Sequence, residues 1–414
     1  MAVQEIVEAI CAPHKAFKKI VQNPKFLAPL IVVVLFVAVQ VGSAYIIGTR
    51  SFLEQTMPTG QQGDVWTEVA SYWQASSGVT ISENHVDYIN SSVQYFNTTS
   101  IEFKADSANG VQLFLNDFGE SVNCGPNGFR NLSIRVKIDS PSSVPINATL
   151  YLYSLGPTNY FTYDLSQAFS NVTIVAQHLW NNITVPVETG WSTMGSPDWQ
   201  NITGLRMDFA WTEASSVDLK VDGLFFRGVF KGLLDINASS VLINAALNST
   251  TPFLFEWLLL TGLIYLLIKG LRGNVVWKPV MVAVGVALVV LVVQYFVLTG
   301  VYSAMLPDVY YPLEIVAYIP GESEAAAQVI QSDLASVFQI GSYLQIAVWI
   351  WLFGLGTFIT RAVTGITPAN PKGSTEVESE RTASFQTFSW PKCMLVSAAS
   401  LVLTITILGF LGLG

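Results

Sequence analysis

The sequence predicts a membrane α-helical bundle of five transmembrane helices, with an extracellular all-β jelly-roll or β-sandwich domain inserted between helices 1 and 2. Three observations carry this. The 414-residue chain is 51% hydrophobic and only 12% charged, about half the charged fraction of a soluble domain. Five apolar stretches are long enough to cross about 30 Å of hydrocarbon as helices. All nine Asn-x-Ser/Thr sequons fall between the first and second of those stretches, where only a transferase beyond the membrane can use them.

The chain opens on an amphipathic segment, residues 1–24. Ile6, Ile10, Phe17, Ile20 and Val21 suit a lipid interface, and Lys15, Lys18 and Lys19 suit anionic headgroups. Transmembrane helix 1 follows at residues 25–48, too long and too poor in a cleavage pattern for a removable signal peptide. Residues 49–78 read as a linker and 229–251 as a short outer helix feeding the second span. Residues 252–414 hold spans 2–5, near 252–268, 279–301, 338–360 and 393–413, with an acidic outer hairpin at 302–337.

Charge sets the orientation. Lys25, Lys269, Arg272, Lys278, Arg361, Lys372, Arg381 and Lys392 all border one side of the spans. The 302–337 hairpin holds no Lys or Arg, and carries Asp308, Glu314, Glu322, Glu324 and Asp333. The positive-inside rule then predicts a cytoplasmic N-terminus, with residues 49–251 and the C-terminus outside a cell membrane. The sequons, at Asn90, Asn97, Asn131, Asn147, Asn171, Asn182, Asn201, Asn237 and Asn248, require the same arrangement and predict N-linked glycans.

Between residues 79 and 228 the text changes to short alternating runs. Leu132, Ile134, Val136 and Ile138 alternate with polar residues; Ile183, Val185 and Val187 do so too. Leu205, Met207, Phe209 and Trp211, then Val217, Leu219 and Val221, repeat the period. Such patterning predicts antiparallel strands with one face in a core. Cys124 is the one outer cysteine, so this domain must hold without an internal disulfide.

Candidate ligand contacts are Trp180, Trp191 and Trp199, since a flat indole stacks on the apolar face of a sugar ring. Core packing explains the same residues. Asp218 and Asp222 could ligate Ca²⁺, but the spacing equally describes a solvent face, and no metal or cofactor is expected.

The runs Gly195–Leu205 and Val217–Phe226, with Ser100-Ile101-Glu102-Phe103 and the Leu132–Ile138 strand, resemble the carbohydrate-binding-module-like, galactose-binding-fold jelly rolls. That resemblance implies fold more than ligand. Pro13 followed by Phe17 and Ile20, then Pro24 and a span, is similar to the opening of the Yip family (Ypt/Rab-interacting protein), which also has five spans. The inserted β-domain departs from that family.

No catalytic constellation appears. His14, His85 and His178 stand apart, and no nucleophile elbow, P-loop or dinucleotide fingerprint occurs. The expectation is a non-enzymatic surface protein, a binding or scaffold subunit whose partner is a glycan or an envelope protein, seated in membrane lipid. The acidic outer face disfavours nucleic acid. The rival reading is a transporter or channel component; against it, the spans offer only Gln40, Glu256, Thr261, Gln294 and Gln345. Many sequons without disulfides suit an archaeal envelope.

Overall fold

The computed structural model describes residues 2–91, 95–365 and 388–412. Lys372 and Arg381, and the Leu413 end of the last expected span, lie outside the described residues. The chain divides into two compact units: Met1–Arg50 with Leu233–Asp308 and Asp333–Gly414, and Ser51–Gly232 with Val309–Ser332.

In the helical unit, α1 (Ala2–Cys11) and α2 (Pro13–Gln22) precede α3 (Leu27–Thr49). The other long helices are α5 (Leu233–Gly270), α6 (Trp277–Ala287) with α7 (Val289–Met305), α9 (Glu322–Thr364), which belongs to this unit from Asp333 onward, and α10 (Trp390–Phe410). Among the described residues, five helical stretches are long and apolar enough to cross a membrane, α6 and α7 together making one. α5 breaks at Asn237, whose φ of −156° is not helical. Its Oδ1 accepts a hydrogen bond from Ser240 N at 3.2 Å and caps the second piece.

α6 carries no polar stripe, and Val280, Val282, Ala283, Val284 and Val286 are all buried, as a helix apolar all round must be. Small residues let neighbours close in. A Cβ at Gly285 would lie 2.6 Å from the Trp257 ring, and the Trp257 indole donates to Met281 O at 2.7 Å. Gln294 Nε2 donates to Gln345 Oε1 at 2.7 Å, joining α7 to α9. One expectation changes here: Ile6, Phe17, Ile20 and Val21 do not face outward but are buried in this unit's core. The chain turns at Ala12-Pro13, so the apolar sides of α1 and α2 both pack inward; Val3 and Val7 remain exposed.

Among the described residues the β unit has eleven strands in one continuous hydrogen-bonded system: β1 (Ser51–Met57), β2 (Gln74–Ala75), β3 (Thr80–Asn84), β4 (Ser100–Leu115), β5 (Asn131–Ser140), β6 (Asn147–Ser154), β7 (Tyr160–Asp164), β8 (Asn181–Pro186), β9 (Ser192–Met194), β10 (Ile202–Gly232) and β11 (Val309–Tyr311). Two short helices, α4 (Val172–Ala176) and α8 (Leu313–Val316), complete it. The pairing is antiparallel except between β1 and β11. β10 is 31 residues long and holds the system together. Its first part pairs with β4 and β6, its middle with β4 and β5, and its end with β1. Leu113, Leu150, Leu205 and Met207 from the first part share one core with Phe103, Ile134, Val185 and Leu219 from the second. The system therefore folds over on itself in two layers, and each strand's alternate residues face away from that core.

Candidate ligand-binding face

On the first layer those outward residues line up across five strands. Antiparallel register places Phe114 (β4) opposite Arg206 (β10), Arg206 opposite Tyr151 (β6), Tyr151 opposite Thr162 (β7) and Thr162 opposite Ser192 (β9). The row beside it runs Gln112, Asp208, Thr149 and Asp164. All these side chains are half-buried or exposed, whereas their sequence neighbours Leu113, Leu150, Leu205 and Met207 are buried. The period of two does the positioning.

Arg206 is the centre. Its Nε donates to Asp208 Oδ1 at 2.8 Å and its Nη2 to Asp208 Oδ2 at 2.6 Å, the fork geometry that suits a carboxylate. The guanidinium carbon sits 3.9 Å from the centre of the Tyr151 ring and 5.8 Å from that of Phe114. Gln112 Nε2 adds a bond to Asp208 Oδ2 at 3.2 Å. Tyr160 meets Tyr151 edge-on, with ring centres 5.6 Å apart. Desolvation works against the Arg206 charge, but Asp208 overcomes it and holds its pKa above the ordinary arginine value. The result is a patch that sets aromatic rings beside a paired guanidinium and carboxylate.

The rows run into hollows at both ends. Gln74, opposite Phe114 on β2, lines a cavity of about 380 Å³ with Tyr72, Asn116 and Asp117. Asp164, Gln167, Asn182 and Thr184 line another of about 440 Å³.

Trp191 and Trp199 lie elsewhere. Trp199 stacks on Phe161 with ring centres 3.7 Å apart, Trp191 meets Trp199 edge-on, and the Trp191 indole donates to Pro186 O at 2.8 Å. Both pack against the core; Trp180 is half-buried beyond α4. Asp218 and Asp222 do not converge on one site. Asp218 pairs with Lys104 and Lys220 at 3.6 and 3.5 Å, while Asp222 accepts from Ile89 N and Gly223 N at 2.6 and 2.7 Å. Of the sequon asparagines, Asn131 and Asn201 are half-buried and the other seven exposed.

Arg206, Asp208, Tyr151 and Phe114 stand in no motif of the sequence. A signal was present: Arg206-x-Asp208 and Tyr151 occupy outward positions of strands where small polar residues would serve. Only register brings them together.

No family model and no curated protein matches the chain. Among solved structures, it is similar to a family 11 carbohydrate-binding module from Clostridium thermocellum in complex with a β-1,3-1,4-mixed-linked tetrasaccharide. The identity is 13% over 42% of this chain and 94% of that one, with a TM-score of 0.27. A β-1,2-glucanase from Parabacteroides distasonis is 14% identical over 40% of this chain and 24% of that one, with a TM-score of 0.27. A carbohydrate-binding module of the β-sandwich superfamily is 14% identical over 38% of this chain and 57% of that one, with a TM-score of 0.21.

Proposed function

We propose that this protein binds glycan chains without turning them over, using the face centred on Arg206, Asp208 and Tyr151. The observation that supports it is the in-register row of Phe114, Arg206, Tyr151 and Thr162. Sugar recognition needs flat apolar surface for ring faces and fixed polar groups for hydroxyls. This face offers both, and the hollows at its ends suit a chain of several residues better than a single sugar. The five apolar helices serve as the anchor in a cell membrane, in an arrangement like that of the Yip family. The N-terminus is cytoplasmic, and the β unit is outside and N-glycosylated. Binding of this kind supports a scaffold or accessory role in an envelope.

The test uses the full chain in mild detergent, titrated against a panel of neutral oligosaccharides by calorimetry. Arg206→Ala and Tyr151→Ala should each weaken binding about tenfold or more, equivalent to about 1.4 kcal/mol, while Asn97→Gln leaves it unchanged. Full affinity in both face variants would sink the reading. Substrate flux into liposomes holding the chain would put transport first.

A further inference from the structure

The starts of α3, α6 and α10 and the ends of α5 and α9 meet at one end of the helical unit. Contacts join them in turn. Lys278 Nζ, at the start of α6, lies 5.9 Å from the centre of the Phe26 ring at the start of α3. Its neighbour Trp277 meets Tyr265 of α5 edge-on, with ring centres 5.3 Å apart. A Cβ at Gly273, just past α5, would lie 2.8 Å from the Phe388 ring that precedes α10. Arg361 of α9 closes the series by covering Trp390 of α10. Lys269 over Tyr265 and Lys392 over Phe388, at 5.9 and 5.7 Å, repeat the arrangement. Lys269, Lys278, Arg361 and Lys392 are thus each placed on a ring.

These cations have rings but no anions. In the β unit every Lys and Arg except Lys231 is ion-paired with an Asp or Glu. Among the described residues of the helical unit only Lys19 and Arg50 are so paired, and Arg50 stands past the other end of α3. Arg361 shows what is left over. Its guanidinium carbon sits 4.2 Å from the centre of the Trp390 ring, which Phe358 braces edge-on at 5.7 Å. Stacking occupies the face of the guanidinium and leaves its N–H edge, the fork that matches a phosphate bidentately. Lys269, Lys278 and Lys392 are exposed, and so are the Trp277 and Trp390 rings.

We propose that this end of the helical unit binds anionic phospholipid headgroups, with Arg361 on Trp390 gripping a lipid phosphate. Charge complementarity selects the partner, since the cations meet no carboxylate of the described chain. The rings select its source. Indoles and phenols with bases beside them suit the boundary between headgroups and acyl chains. A soluble anion would answer the charges and leave those rings in water. The inference rests on the membrane-anchor reading, and stands whether or not the Arg206 face binds sugar.

The full chain in mild detergent is titrated separately with short-chain phosphatidylglycerol, phosphatidylcholine and inorganic phosphate. Bound lipid is counted by native mass spectrometry, and the melting temperature is read by scanning fluorimetry. Phosphatidylglycerol should bind at least about fivefold more tightly than phosphatidylcholine and raise the melting temperature. Arg361→Gln should weaken that binding about fivefold, Trp390→Leu by less, and Arg50→Gln not at all. Should Arg361→Gln fail to fold, Lys392→Gln, at an exposed position, should weaken binding while the folded yield holds. Flotation with vesicles of pure phosphatidylcholine tests the anchor separately, and a chain that stays behind sinks both readings. A chain that floats but binds the two lipids equally, or a folded Arg361→Gln or Lys392→Gln chain with undiminished affinity, would overturn the headgroup site alone. An equal melting shift with inorganic phosphate would overturn the choice of a lipid.

Discussion

Around Arg227, a buried acid and a half-buried one are matched bond for bond. Arg227 Nε and Nη2 donate to Glu54 at 3.0 and 2.8 Å, and Nη1 and Nη2 to Glu314 at 2.5 and 2.8 Å. Gly228 N and Leu313 N supply Glu54 with two more donors. Around Asp64, three acids (Asp64, Glu68 and Asp222) meet with backbone donors and the Thr67 hydroxyl, and among the described residues none of the three forms an ion pair. Both clusters lie in one unit and remove carboxylates from water, a step that costs several kcal/mol per ion when nothing compensates it. The first is matched by the chain's own cation, whereas in the second Asp64 Oδ2 and Glu68 Oε1 are sealed from solvent without a hydrogen-bond partner. Counting buried acids would not separate them; tracing where each lone pair goes does.

The strongest break in that comparison is Arg227→Met. It leaves Glu54 buried without its cation and Glu314 unpaired beside it, and should cost about 3–5 kcal/mol, seen as loss of protease-resistant β unit. Next comes Asp64→Asn, which removes one of three facing carboxylates and should raise the melting temperature at neutral pH. Glu314→Gln, its counterpart at the matched cluster, should instead destabilise, by about 1–3 kcal/mol. Acid offers a third test. Burial opposes the Glu314 charge, but Arg227 outweighs it and holds the carboxyl below the ordinary glutamate value. A depressed folded value contributes stability above the unfolded one, about 4.3, and loses it as pH falls through the folded one. Melting temperature should therefore drop below about pH 4.3, and by less in Glu314→Gln. The smallest effect is at the open face: Arg206→Ala should cost no more than about 1 kcal/mol of stability, since its carboxylate partner is reached by water.

Much of the framework was legible from alternation. The expected run from Leu132 to Ile138 is β5 and that from Ile183 is β8, because period-two apolar residues have only one way to share a core. The runs at Leu205 and Val217 were visible too, but they belong to a single strand, β10. Its register shifts near Ala210 to Val217 let the ladder continue through the polar stretch between the two runs. The helices were plain in composition, yet α9 begins at Glu322, well before the apolar run, because Glu322 and Glu324 suit a helix's first turn. The sites were much less legible. Asp64 and Asp222 share no spacing motif, and neither do Phe114, Tyr151 and Arg206; strand pairing makes those neighbourhoods, and local pattern does not encode pairing. The tryptophans drew attention as large surface-capable rings, but packing on Phe161 satisfies Trp199.

The β unit is built from two lengths of chain, Ser51–Gly232 and Val309–Ser332, and this fixes an order of events during synthesis. Arg227 is made 87 positions before Glu314, and Arg135 is made 187 positions before its partner Glu322. At ribosomal speeds of about 5–20 residues per second, the first gap lasts on the order of ten seconds. Through that interval the larger piece must wait with β1 lacking its β11 neighbour and Arg135 lacking its acid. A nascent chain halted before residue 309 would expose that edge to whatever folding factor or neighbouring chain arrives first.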